Sequence, residues 1–275
     1  MFEKDEKPGG ILMYGIPDFR LDREIVNKVV DNAISLGLEI RTNVEFGKDI
    51  SIDSLKEDGY DAIFLGIGAA IPSTYTIADK QYKNIYKSDV FLKEYSEGRK
   101  IPDLGITVVI GGGNVAMDCS RTAVRMGAKE VYILYRRDEE NMPARKIERE
   151  EAIEDGVKIN YLTKVLKAFG TDEEIESIEC IKTQVVEGKA VDIENSNFTM
   201  KANTVVFAIG LVPDSELLNK MNIKNDRGTI QLDDNNMTSI EGVFAGGDIV
   251  EKKSTVCRAI ASGKKAAIGI EEYLR

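Results

Sequence analysis

The 275-residue chain has no histidine and no tryptophan. Without imidazole there is no Ser-His-Asp or Cys-His catalysis, no histidine base, and little basis for a typical zinc or haem site. Cysteine is scarce: Cys119, Cys180 and Cys257 are far apart, odd in number and form no C-x-x-C. That pattern argues against a disulfide framework, a structural zinc, an iron–sulfur cluster held by this chain and a dithiol redox centre. It suits the reduced thiols of a cytoplasmic protein. Positive charge is in the minority, 37 Lys and Arg against 47 Asp and Glu, net −10, which disfavours nucleic acid and anionic membrane as partners. No run approaches the roughly 18 apolar residues of a membrane helix, and the charged opening MFEKDEKPGG lacks the apolar stretch of a signal peptide. A soluble, cytoplasmic protein is expected.

Glycine, by contrast, is plentiful at 24 residues, and it clusters where apolar runs end: AIFLGIGAA (62–70), ITVVIGGGNVAMD (106–118), VVFAIGLVPD (205–214) and GVFAGGDIV (242–250). Short, nearly continuous apolar runs are typical of strands buried on both faces of a parallel sheet. Helical patterns lie between them over Asp22–Leu36, Asn114–Met126 and Pro143–Asp155. This alternation reads as α/β, and the length suits about two domains. The middle forms a self-contained unit with strands at Thr107–Ile110, Glu130–Tyr135, Lys158–Leu162 and Thr204–Ile209. Before the last strand, β-like runs at Val165–Phe169, Ile178–Val186 and Phe198–Lys201 suit an inserted antiparallel meander. The polar stretch 93–105, with Pro102 and Gly105, reads as a linker before the unit. The expected borders are a first part over 1–99, the middle dinucleotide-type domain over 100–231 and a final part over 232–275 that completes the first.

Gly111-Gly112-Gly113-Asn114-Val115-Ala116 fits G-x-G-x-x-A and stands between a strand and a helix, the context its mechanism requires. Gly111 permits the tight turn, Gly113 lets the backbone approach a pyrophosphate, and Ala116 lets the helix pack on the strand. The helix start then offers N–H groups and a positive dipole end to phosphate. An NAD site usually has an acid about 20 residues further on, to accept from the ribose hydroxyl. Here the second strand ends in Arg136-Arg137, 25 residues after Gly111 (136 − 111). Guanidinium groups cannot accept that bond but grip a 2′-phosphate, so the site favours NADP(H), with Arg145 as a third cation. The plain alternative is a solvated basic turn balanced by Asp138, Glu139 and Glu140. Gly210 closes a further strand–glycine junction and joins the cofactor candidates.

A second set points to flavin. Asp248 follows a strand and Gly246-Gly247, and Ser254-Thr255 opens a helix. An acid there can bond a ribityl hydroxyl, and the helix start can favour negative charge on a reduced ring. A strand–turn–helix with Asp248 as a cap is the plain alternative. Cys119 reads as a small buried hydrophobe. Tyr14 and GIPDFR suit either the lining of a flavin site or ordinary packing.

Taken together, GGILMYGIPDFRL, DAIFLGIGA, the run from Gly111 to Arg145, and GVFAGGDIV with STVCRAIASG resemble the small, β subunit family of NADPH-dependent glutamate synthase. The resemblance implies paired FAD and NADP(H) domains, the second inserted in the first, and hydride transfer from NADPH to FAD. Gly111, Gly113, Asn114 and Val115 would touch NADP pyrophosphate, and Arg136 and Arg137 its 2′-phosphate. Gly247 and Asp248 would touch FAD, Thr255 would lie near the flavin ring, and Glu3 falls where the family has its FAD-ribose acid. The family's first FAD glycine loop and its iron–sulfur domain would precede Met1. The implied partners are therefore an N-terminal iron–sulfur/FAD segment or an electron-accepting subunit, and FAD binding by these residues alone is expected to be weak. Two further readings stay open beside this one. A non-catalytic NADP(H)-binding module is the first, and an NADPH:disulfide reductase, opposed by the lack of C-x-x-C, is the second.

Overall fold

The computed structural model describes residues 1–69, 71–251 and 255–275. By its contacts the chain falls into two compact units, Gly9–Ala33 with Pro72–Gly210, and Met1–Pro8 with Ile34–Ile71 and Leu211–Arg275. These borders differ from those expected. Segments 9–33 and 72–99 join the glycine-loop unit, and 211–231 joins the other.

The glycine-loop unit is built on five parallel strands in the order Ile85–Lys87, Thr204–Phe207, Ile106–Ile110, Glu130–Leu134, Lys158–Asn160. The edge strand Ile85–Lys87 was not expected, and it is what brings 72–99 into this unit. The helix Ser88–Ser96 follows it, so the supposed linker at 93 begins inside a helix. Side chains alternate between two cores, which explains the continuous apolar runs. Val109, Ile133 and Val206 face Phe91, Met117, Ala123 and Ala152 from three helices. Val108, Ile110, Val205 and Phe207 face Val165, Ile175 and Ile178. Those last three belong to an antiparallel sheet of Thr163–Thr171, Glu174–Val186, Lys189–Asp192 and Phe198–Lys201. The expected meander is therefore present, with longer first strands and one strand more.

The segment Gly9–Ala33 lies against the glycine-loop helix Asn114–Arg125. The guanidinium carbons of Arg121 and Arg125 sit 4.8 and 4.0 Å from the Phe19 ring centroid. Tyr95 donates its hydroxyl proton to Asp18 at 2.9 Å, and Tyr14 packs with Met13 and Val26. GIPDFR thus serves packing within this unit.

In the other unit Ile63–Leu65 pairs in parallel with Val243–Ala245, over a core of Ile52, Leu55, Leu218, Ile223 and Ile249. Phe2 bridges in parallel to Arg41. The long helix Val256–Tyr273 closes the chain. No helix among the described residues is long and apolar enough to cross a membrane.

Candidate functional site

The strand Ile106–Ile110 delivers the chain into the glycine loop at the carboxyl end of the sheet, where open α/β sheets bind ligands. Each glycine has its own neighbour. A Cβ on Gly111, whose φ is +150°, would stand 2.2 Å from the Ala208 carbonyl oxygen. One on Gly112 would meet the Tyr135 ring at 2.4 Å, whereas one on Gly113 would point into open space. Gly111 and Gly112 are buried, while Gly113, Asn114 and Val115 are partly exposed at the mouth of the loop. Gly113 is the N-cap of the helix Asn114–Arg125, and no side chain caps it. Its first N–H groups are oriented as an anion cradle needs. Ala116 is fully buried beneath.

The end of the second strand is organised around Tyr135. Its hydroxyl donates to the Asn141 carbonyl at 2.6 Å and accepts from Arg137 Nε at 2.9 Å. Arg136 is exposed, its carbonyl held by the Thr183 hydroxyl at 2.7 Å. Two of the acids proposed to balance this turn are engaged elsewhere. Asp138 Oδ1 accepts from the Asn141 backbone and side chain, and Glu139 pairs with Arg149. Among the described residues no carboxylate pairs with Arg136 or Arg137, which leaves both available to an anionic ligand. The loop that follows docks on the glycines, with Ala144 N–H on the Gly112 carbonyl at 2.9 Å and Arg145 N–H on Asn114 Oδ1 at 3.1 Å. Gly210, with φ +111°, is exposed, and its carbonyl accepts from Ser73 N–H at 2.8 Å. Gly111 to Val115, Arg136, Arg137, Arg145 and Gly210 all belong to this one unit.

Glu3, Gly247, Asp248 and Thr255 belong to the other unit. Glu3 exchanges backbone bonds with Arg41 and Val44, and its side chain accepts from Asp5 N–H at 3.0 Å. Gly247 (φ +78°) and Asp248 lie in a short 3-10 turn, Gly247–Ile249, after the strand Val243–Ala245. Thr255 caps the last helix by accepting from Arg258 N–H, whereas Ser254 lies outside the described residues. Sequence reasoning missed what holds the turn. Ser262 Oγ accepts from Gly247 N–H at 3.1 Å, and Asn236 Nδ2 donates to the Ser262 carbonyl at 3.2 Å. No local pattern marks either residue. A hollow of about 460 Å³ in this unit, lined by Ile230, Leu232, Asn236, Val250 and Arg258 among others, does not include Gly247, Asp248 or Thr255.

The thiols are unsuited to redox exchange as a pair. Cys119 and Cys180 are buried and only Cys257 is exposed, all three free. Burial pushes the Cys180 thiol up to about 12 and that of Cys119 well above the usual range, which suppresses the reactive thiolate.

Residues 4–263 match the pyridine nucleotide-disulphide oxidoreductase family. Over its whole length the chain is 36 % identical to the NADP(+)-dependent formate dehydrogenase subunit beta of Moorella thermoacetica and 33 % identical to the glutamate synthase (NADPH) small chain of Escherichia coli K12. It spans 40 % and 63 % of those proteins. Its fold is that of Mycobacterium tuberculosis FprA in complex with NADPH, at a TM-score of 0.78 and 17 % identity, over all of this chain and 77 % of that one. The α/β, Rossmann-like architecture expected from the sequence is the architecture found.

Proposed function

Because the chain belongs to the pyridine nucleotide-disulphide oxidoreductase family, we propose that it is the NADPH-binding and flavin-facing part of a cytoplasmic oxidoreductase, as in the glutamate synthase small subunit. In this reading NADPH supplies a hydride that FAD accepts. The observation that carries it is the glycine loop. Gly113 has open space before it at an uncapped helix start, and Arg136 and Arg137 stand where an NAD site would need an acid. The residues fit the nucleotide: Gly111 to Val115 for the pyrophosphate, Arg136 and Arg137 for the 2′-phosphate, with Arg145 and Gly210 beside them. Glu3, Gly247, Asp248 and Thr255 fit ribose, ribityl chain and ring of FAD. The two named relatives are called subunits or chains of larger enzymes, which supports a partner that takes the electrons onward, whether an iron–sulfur segment or a separate subunit.

Replacing Arg136 or Arg137 by Gln should weaken NADPH binding by roughly 1–3 kcal/mol, the scale of a lost charged hydrogen bond. NADH binding should change little. Equal losses for both nucleotides in a fluorescence titration would remove the basis for NADP(H) choice.

A second reading rests on one specific feature. The 275 residues contain a single G-x-G-x-x-A, at Gly111, so the chain by itself has one glycine cradle for two dinucleotides. A non-catalytic NADP(H)-binding module would be colourless and still bind NADPH, whereas the oxidoreductase reading calls for a yellow protein that reduces an artificial acceptor once its flavin site is complete.

A further inference from the structure

Beneath the glycine loop two acids are almost out of solvent. Asp118, one turn below Asn114 on the same helix, is 3 % exposed, and Glu148, in the first turn of the next helix, is 4 % exposed. One guanidinium from the GIPDFR segment holds both. Arg20 Nη1 donates to the two Asp118 oxygens at 2.7 and 2.6 Å, and Nη2 donates to Glu148 Oε1 at 2.7 Å. The same Glu148 oxygen accepts from Arg145 Nη2, and Arg145 N–H is bonded to Asn114. A chain of charges therefore runs from Asp118 through Arg20 and Glu148 to Arg145, and back to the first residue of the glycine-loop helix. Glu148 Oε2 is buried without a partner, so compensation of that carboxylate rests on the two guanidinium groups at its other oxygen.

We propose that Arg20 is a positioning residue of the nucleotide site: by neutralising Asp118 and Glu148 it leaves the Arg145 guanidinium able to turn to a bound phosphate. The proposal rests on the NADP(H) reading of this unit. Arg145 is the exposed member of the chain, its side chain 63 % accessible, so it is shared between Glu148 and the mouth of the loop. Without Arg20, the two buried carboxylates would be left with Arg145 and, near Asp118, an Arg121 already paired with Glu151 and Asp155, and Arg145 would be drawn down onto them. The charged groups around the pair are few. Asp118 faces Arg20, Glu148 and Arg121; Arg121 is itself held by Glu151 and Asp155; and on the adjoining helix Asp89 bears on the Cys119 thiol. Burial raises the Asp118 carboxyl to about 6 even against the opposing pull of Arg20, with Glu148 adding to the rise. Removing Arg20 raises it further. The combined hold of the acids on Arg145 is therefore strongest when Asp118 is ionised and weakens as Asp118 takes up its proton.

The test is a calorimetric titration with NADP⁺ at about pH 8 and about pH 5.5. It compares the natural chain, Arg20→Met, Arg20→Lys, and Arg20→Met combined with Asp118→Asn and Glu148→Gln. Arg20→Met should bind roughly tenfold more weakly at the higher pH and within about threefold of the natural chain at the lower. The triple variant, which lacks the acids, should return to within about threefold at both. Arg20→Lys should fall between, since a point charge cannot fork to both carboxylates. If Arg20→Met does not fold, Arg20→Lys carries the test, because its loss must shrink on acidification. A loss independent of pH, no loss, or a loss that persists in the triple variant would overturn the proposal and leave Arg20 a structural anchor. Failure of the natural chain itself to bind NADP⁺ would instead overturn the nucleotide reading, and this proposal with it.

Discussion

A Cβ on Gly111 would collide with the Ala208 carbonyl, while one on Gly113 would meet nothing within 4 Å. The two glycines of one motif are thus required for different reasons, the first by the fold and the second by whatever approaches the loop. Gly111→Ala should destabilise the chain by roughly 2 kcal/mol or more, because backbone strain and a clash with a carbonyl coincide there. Gly113→Ala should change stability by less than about 1 kcal/mol, its φ of −91° being open to any residue. Its methyl would nevertheless fill the open space to which the proposed reading brings a phosphate, and NADPH affinity should fall about tenfold or more. Urea denaturation and nucleotide titration on the same two variants separate these effects. Full NADPH affinity in Gly113→Ala would show that no ligand sits at the loop.

Among the elements, the meander is the one that makes this unit more than a minimal dinucleotide fold. Its inner side chains form the second face of the parallel sheet, so Val108, Ile110, Val205 and Phe207 are covered by strands where a doubly wound fold would use helices. Ile178, fully buried at the centre of that contact, should cost about 2–5 kcal/mol when replaced by Ala, through lost burial and the cavity left behind. Val186 lies on the exposed end of the same strand, 47 % accessible, and its replacement by Ala should stay within about 0.5 kcal/mol. Urea midpoints at unchanged slope would report both values. Comparable losses at the two positions would mean that the meander does not form part of the core.

For the whole molecule the question is how one chain could serve the two cofactors of the proposed function. In the proposed reading the glycine-loop unit supplies NADP(H) with strand, open cradle, helix start and cations. The other unit offers Glu3, the Gly247-Asp248 turn and the helix capped by Thr255, but no second G-x-G-x-x-A occurs in the sequence to receive a pyrophosphate. The isolated 275-residue chain is therefore expected to elute from gel filtration largely free of FAD while still binding NADPH. Adding in trans or by fusion a segment bearing a strand, G-x-G-x-x-G and helix should yield a yellow, NADPH-reducible protein. Stoichiometric flavin absorbance on the chain alone would contradict this.

The α/β class, the glycine loop and its arginines, and the strands that flank them were legible in the sequence. They are local: a strand buried on both faces writes a continuous apolar run, and a phosphate turn demands glycine at fixed offsets. The tertiary structure alone decided what those signals do not encode. The edge strand Ile85–Lys87 is too short to declare itself, and its place beside Thr204–Phe207 depends on a partner more than a hundred residues away. The borders of the two units shifted for the same reason, since GIPDFR is claimed by Arg121 and Arg125 through Phe19. The buried acids needed it too. No local pattern marks Asp118 or Glu148 as buried, and it is Arg20, arriving from 98 and 128 residues away, together with Arg145 beside Glu148, that makes their burial tolerable. A charge can be placed inside a protein when its counter-charge comes from elsewhere in the chain, and that pairing is a property of the fold.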